Sequence, residues 1–392
     1  MMQKSTYSNL NHLTEQEFNE LIRKYYSHVK IKDLLEEFCL SVNPGQLLGL
    51  FPPKETESLC PYCGVNMLRH FESRGHSSYE DGEIVCPNCN HNDNRLYCKC
   101  HNCRQAAIEK ERQEYEEKYE AIKAILDKTR QKAITPVELT FKDKIYLGSL
   151  LRIGLSEDFN IINPVDSFHI PLAPTRTFSS EIVDNLNEKN IIGISPESDL
   201  DYFSDLNLEE GTITFWSDKI KWEILIQTEG KEKVEFLDSL MNPEYDNWSE
   251  EALDLWRKVA LNECLEYFYY NLSSVLGVTY NAGSKTISIL SELLKTYSVS
   301  QIFGLIYRAT NNALRFQAER GVSRKYAANV VIGNAQNFAE RALINNWNIT
   351  KYNRPRECPQ SALSKFLYDR VLKIGEDGFN MPPKRNTGCS KV

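Results

Sequence analysis

The sequence predicts a multidomain α+β protein, on three observations. Seven of the eleven cysteines fall between Cys60 and Cys103, which marks a small metal-bound segment. From 137 to 240, helix-period stretches alternate with short runs such as TITFW and WEILIQ, rich in β-branched and aromatic residues. From 248 to 378, apolar residues recur at helical spacing. Five segments follow: a helical module (1–56), a cysteine-rich segment (57–103), a charged linker helix (104–134), a mixed α/β domain (135–245) and a basic helical domain (246–380).

The N-terminal module reads as three short helices over 12–53. Thr14 and Glu17 form a capping-box pattern, and Phe18, Leu21, Ile22 and Tyr25 then recur on one face. IKDLLEEF makes a second helix. Asn43 as N-cap and Pro44 at the first helical position open a third, GQLLGLF, which Pro52 and Pro53 stop. Helix, short turn, capped helix is the grammar of a helix-turn-helix, although no Lys or Arg falls on the third helix.

In the cysteine-rich segment, Cys60-Pro-Tyr-Cys63-Gly and Cys86-Pro-Asn-Cys89-Asn are two CPxC turns. Each presents two thiolates to one tetrahedral ion, and two such turns close a four-thiolate structural zinc site. Cys98, Cys100 and Cys103 need one imidazole to complete a second Zn2+ site. His91 is the favoured ligand, with His101, His70 and His76 as alternatives. A different partition, Cys86 and Cys89 with Cys100 and Cys103, leaves Cys60 and Cys63 to find Cys98 and a histidine. The spacing alone leaves both open. Either way, metal binding energy becomes folding energy for a segment too small to build its own core. A filled shell has no open position for water, so the metal is expected to be structural.

Residues 12–103 together resemble the helix-turn-helix and zinc-ribbon pieces of bacterial DNA-binding proteins. That resemblance, at motif level, covers about a quarter of the chain and implies DNA as a partner, in a regulatory or a DNA-targeting and defence role.

The linker helix RQAAIEKERQEYEEKYEAIKAILDKTRQK is rich in i,i+4 charge pairs. Ile108, Tyr115, Tyr119, Ile122 and Leu126 follow a heptad-like seam, suited to a spacer or to pairing with a partner helix. In the mixed domain, TFKDKIYLGSLLRIGL and SSEIVDNLNEKN read as helices and 191–194 as a strand. TITFW, WEILIQ and KVEFL read as three further strands. Helices followed by a β-ribbon suit a winged helix. TEGK, between the last two runs, reads as a hairpin turn. A minority reading places an Mg2+-dependent nuclease at Asp218, Glu229 and Lys231, an acidic pair and a lysine at nuclease-like spacing.

Charge is distributed unevenly along the chain. The net charge of −8 divides into −3 over 1–103, −14 over 104–300 and +9 over 301–392. The basic end interleaves cations with aromatics: Arg308, Arg315, Arg324 and Lys325 lie near Tyr307, Phe316 and Tyr326, and Lys351, Arg354 and Arg356 lie near Tyr352. Such a pattern can track phosphates and stack on bases. It equally suits docking on an acidic partner chain or self-association, the alternative of a protein-interaction subunit. All seven histidines occur at or before His169, so the helical end has no histidine base, and Cys264 and Cys358 are expected to be buried apolar residues. GVTYNAGSKT fails the phosphate-loop spacing and reads as a loop. No run approaches the roughly 20 apolar residues of a membrane span. The opening MMQKSTYSNLNHLTEQEF lacks the apolar core of a secretory signal, so the expected compartment is the cytoplasm and no membrane is a partner.

Overall fold

A computed structural model describes residues 10–75, 82–93, 98–130, 134–207, 210–245 and 249–384. His76, Glu80, Asp81 and Arg95 of the cysteine-rich segment, Trp248 and the tail from 385 lie outside these residues. The chain divides into two compact units, Met1–Glu117 and Lys118–Val392. The segments expected as separate mixed and helical domains, 135–245 and 246–380, share one hydrophobic cluster running from Ile122 to Phe379.

The first unit begins with α1 (Glu15–Tyr26), held by the Thr14–Glu17 capping box, and α2 (Ile31–Glu37). The expected third α-helix is replaced by two 3-10 turns, Pro44–Gln46 and Leu48–Leu50. Gly45 and Gly49 explain the break, since each glycine costs a helix interior about 1 kcal/mol relative to alanine. The tighter turns still bury Leu47, Leu50 and Phe51 against Leu21, Tyr25 and Leu34. Thus no full helix follows α2 as a recognition helix. Strands β1 (Lys54–Leu59), β2 (Asn66–Arg69) and β3 (Ile84–Val85) form an antiparallel sheet in that order. Tyr26 Oη donates to Glu72 O at 2.6 Å and Arg74 Nη1 to Val29 O at 2.6 Å, tying this sheet's far end to the small helical core.

Helix α3 (His101–Arg130) crosses the boundary between the units. Its seam is divided: Ile108 and Tyr115 are each 57% exposed, whereas Ile122 and Leu126 are buried and Tyr119 packs against the core of the second unit. Lys110–Glu114 and Arg112–Glu116 supply the i,i+4 ion pairs read from the sequence.

In the second unit, α4 (Phe141–Gly154) is the buried hub, capped by Thr140 and Asp143. Strand β4 (Ile161–Ile162), α5 (Arg176–Glu188) and β5 (Ile192–Ile194) follow. Strands β6 (Phe203–Asn207) and β7 (Thr212–Phe215) pair with each other, while β8 (Trp222–Ile224) runs between β4 and β5, antiparallel to both. KVEFL is not a strand: it lies within α6 (Gly230–Met241), and TEGK is that helix's N-terminal turn rather than a hairpin. Only the first four residues, KVEF, alternate charged and apolar, and so short a run cannot separate period 2 from period 3.6. The next buried position, Leu240, three after Leu237, decides for the helix. Gly230, at φ +54°, makes the turn into it.

Helices α7 (Glu250–Leu276), α8 (Ser284–Leu293), α9 (Val299–Arg320) and α10 (Arg324–Ile344) complete the bundle; residues 277–283 join α7 to α8, and the final Ser-Lys-Thr of GVTYNAGSKT, expected as loop, opens α8 on its N-cap Gly283. The last expected helix is shorter: α11 (Ala362–Phe366) runs into a π turn, Leu367–Val371, before α12 (Asp377–Asn380). Cys264 and Cys358 are buried, as expected. Among the described residues, no helix is long and apolar enough to cross a membrane.

Candidate metal centre

The β1–β2 hairpin carries the first cysteine turn at its tip. Cys60 N donates to Val65 O and Gly64 N to Cys60 O, each at 2.9 Å, with Gly64 at φ +67°. The second turn repeats this geometry after β3. Cys86 N donates to His91 O at 2.7 Å and Asn90 N to Cys86 O at 3.0 Å, and Asn90 takes the left-handed conformation at φ +56°. Asparagine is among the few non-glycine residues that adopt this conformation readily. Two local turns of one design therefore aim four thiols at a common point.

The ligand atoms of Cys60, Cys63, Cys86 and Cys89 all lie within 4.8 Å of one another, as do those of His91, Cys98, Cys100 and Cys103. The partition is thus four cysteines in one set and one histidine with three cysteines in the other, not the exchanged pairing. His91, rather than His70 or His101, completes the second set. The donor geometry fits zinc. A Zn–S bond of 2.3 Å in a tetrahedron sets sulfurs about 3.8 Å apart, and Cys60 Sγ lies 3.7 Å from Cys89 Sγ. A mixed tetrahedron sets nitrogen and sulfur about 3.6 Å apart, and His91 Nδ1 lies 3.2 Å from Cys103 Sγ and 3.9 Å from Cys100 Sγ. Two tetrahedral zinc sites are compatible with these residues.

The electrostatics favour the thiolate at one cysteine of each cluster, Cys86 and Cys98. Burial pushes the Cys86 thiol up, but the backbone N–H groups of Cys89 and Asn88 outweigh it and bring it down to about 7. Burial likewise raises Cys98, and hydrogen bonds from the Cys100 and Asn92 backbones bring it down to about 6. Cys89 is pushed up instead, first by burial and then by the neighbouring thiols. Several thiolates at one point repel one another unless a cation sits among them. Cys103, in the first turn of α3, is also pushed up: the Tyr62 hydroxyl favours its thiolate, but burial and the neighbouring Cys100 and Cys98 outweigh it.

Two residues that the cysteine spacing could not point to support the second site. The His91 ring presents Nδ1 to the thiols and Nε2 to Asp93 Oδ1, 3.7 Å away. At that distance the exposed carboxylate is beyond hydrogen-bond reach and acts on the ring only through its charge. Tyr62, from the first cysteine turn, sets its hydroxyl 3.4 Å from Cys103 Sγ and its ring edge-on to His91 at 5.2 Å. That contact holds the Tyr62 phenol up at about 12 and braces one cluster against the other. Each site offers four protein ligands. Neither leaves a coordination position for a substrate or an attacking water.

Of the other candidate residues, only Arg308 and Arg315 share the lining of one cavity among the described residues. Asp218 pairs with Arg176 at 2.7 Å, Lys231 pairs with Glu235 at 3.0 Å, and Glu229 is the N-cap residue of α6. Among the described residues, neither Asp218 nor Glu229 belongs to a group of three or more metal-ligating side chains. Arg308, Arg315, Arg324, Lys325 and Arg356 are exposed, and Lys351 donates to Asn380 O at 2.9 Å. Arg354 is not a surface cation. It is bound to the fully buried Glu263 at 2.7 Å and lies over the Phe379 ring at 4.0 Å. No protein-family model, curated protein or solved structure matches this chain.

Proposed function

We propose that this chain is a zinc-stabilised, non-enzymatic DNA-binding protein, acting as a regulator or within a DNA-targeting or defence complex. One observation carries the reading. Arg308, Arg315, Arg324 and Lys325 stand exposed on α9 and α10, and none forms an ion pair among the described residues. The chain has 54 acidic residues against 46 basic ones, so four cations left without carboxylates have a phosphate-binding use to offer. The metal clusters support the reading only as scaffold. The helix-turn-helix expectation contributes less, because 3-10 turns stand where its recognition helix would be. The winged-helix expectation rests on the β6–β7 ribbon after α4 and α5.

Labelled duplex DNA titrated with the zinc-loaded full chain at several salt concentrations tests this by fluorescence anisotropy. Four phosphate contacts predict a log–log salt slope of roughly −3.6. Absence of binding at low salt refutes the proposal. A Mg2+ lane on a gel tests the nuclease alternative at Asp218, Glu229 and Lys231, and intact DNA is the expected result.

A second reading, a protein-interaction subunit, is favoured by the end of α10, where Leu343, Ile344 and Trp347 are exposed together. A defined oligomer or partner complex without DNA affinity would select it.

A further inference from the structure

Helix α9, Phe338 of α10 and the segment after α10 line an open polar cavity of about 510 Å3. Tyr307, Arg308, Asn311, Asn312 and Arg315 line one side, at the i, i+1, i+4, i+5 and i+8 positions of a single helix. Phe338 of α10 and the segment Asn348–Tyr352 line the other. The wall is fixed in place. Tyr352 N donates to Ser300 O at 2.9 Å, and Gly304 lets the two backbones meet, since a Cβ there would lie 2.5 Å from Thr350 O. Among the described residues, no carboxylate lines the cavity.

The lining is specific in its chemistry. Arg308 stacks on Phe338 with its guanidinium carbon 3.8 Å from the ring centroid, which holds the guanidinium plane and leaves its N–H edge for a ligand. Arg315, one heptad on, has no ion-pair partner among the described residues. Tyr307 and Tyr352 pair at 5.1 Å with planes 36° apart, and Tyr307 keeps 42% of its surface exposed. Guanidiniums recognise phosphate bidentately, exposed aromatic rings stack on bases, and side-chain amides match base edges. The volume suits one such unit.

We propose that this cavity binds a nucleoside phosphate, with the phosphate on Arg308 and Arg315 and the base on the Tyr307–Tyr352 platform. The proposal deepens the DNA-binding reading and rests on it for the source of the ligand. The same chemistry is offered by a free nucleotide or by one unit of a single strand.

The test uses the zinc-loaded full chain with three probes: a fluorescein-labelled oligothymidylate of about a dozen nucleotides, a length within the usual single-strand site sizes, AMP and inorganic phosphate. Arg308→Gln and Arg315→Gln are each expected to weaken oligothymidylate binding about tenfold, and Tyr307→Ala at least about fivefold. Circular dichroism and zinc content should stay at parent values. Lys285→Gln, exposed on α8 and outside the cavity, serves as control. Displacement of the oligothymidylate by micromolar AMP identifies the free nucleotide as the source, and displacement only at millimolar AMP identifies the strand. Phosphate displacing the oligothymidylate as well as AMP does would overturn the base platform. Unchanged oligothymidylate and AMP binding in Arg308→Gln and Arg315→Gln would overturn the site. If duplex binding then persisted and fell in Arg324→Gln, the wider DNA-binding reading would survive its loss. No duplex binding by the parent would remove that reading separately.

Discussion

Replacing Arg354 by methionine should cost the helical unit about 4 kcal/mol, the middle of the range for breaking a buried ion pair. Glu263 is fully buried and takes hydrogen bonds from Arg354 Nη2 at 2.7 Å and Tyr368 Oη at 3.2 Å. Methionine keeps the length of the apolar stem over Phe379 but removes the counter-charge. The carboxylate is then left in the core with one neutral donor. Breaking a buried pair in this way costs about 3–5 kcal/mol. For a unit of this size, that corresponds to a fall in Tm of roughly 8–16 °C. Urea unfolding followed by tryptophan fluorescence reads it directly, since Trp222 and Trp256 are buried in the same core. The double variant Glu263→Gln/Arg354→Met should recover most of the loss, because removing both charges together also removes the uncompensated one. A single-variant cost under about 1 kcal/mol, which is the scale of an exposed pair, or a double variant as unstable as the sum of the singles, refutes the argument. At temperatures where it is folded, Arg354→Met should bind DNA like the parent, in contrast to Arg308→Gln.

Three other outcomes follow from the same packing and from the metal sites. The protein should carry two zinc ions per chain by elemental analysis, one for each ligand set. Asp93→Asn, which removes an exposed charge beside the His91 ring, should lower affinity at the mixed histidine–cysteine site by at most about fivefold while leaving the all-cysteine site unchanged. Cobalt spectra of the two donor sets can separate these effects; equal loss at both sites, or a loss well beyond about fivefold at the mixed site, contradicts a role for Asp93 through its charge alone. Burial first, and then the neighbouring Glu263, pushes the Glu266 carboxyl up from 4.5 to about 8 despite Arg354. Between those values the folded state holds a proton that the unfolded state has released, so the contribution is full below pH 4.5 and is lost as pH rises toward 8. The slope reaches at most about 1.4 kcal/mol per pH unit, and Glu266→Gln should flatten the stability profile there; an unchanged slope assigns it to another group.

The metal module was legible because its information is local. A CPxC turn is closed by hydrogen bonds between near neighbours, such as Gly64 N to Cys60 O, so spacing alone points to paired thiols. Helix caps such as Thr14–Glu17 and Ser298–Gln301 are equally local. How the thiols are shared was not legible. His91 and His101 are equally plausible by distance along the chain, and only the path of the backbone through Asn90 turns His91 Nδ1 toward Cys100 and Cys103.

Elsewhere, burial decided what pattern could not. KVEFL begins with the alternation of a strand but is held as a helix because Leu237 and Leu240 reach the core together. GQLLGLF has a helix's cap and stop, yet its glycines let it take two tighter turns that bury the same leucines. Arg308 and Arg354 look alike in sequence, each near an aromatic residue. The first stacks on Phe338 at an open cavity, whereas the second is drawn inside by a glutamate 91 residues earlier. The sequence by itself determined the α+β class, the helical C-terminal half, the cysteine turns and the charge asymmetry, all of which are set by near neighbours. Only the tertiary structure decided which histidine faces the thiols, which cations stay exposed and which carboxylates are buried, because a charge's role depends on partners that the chain brings together only when it folds.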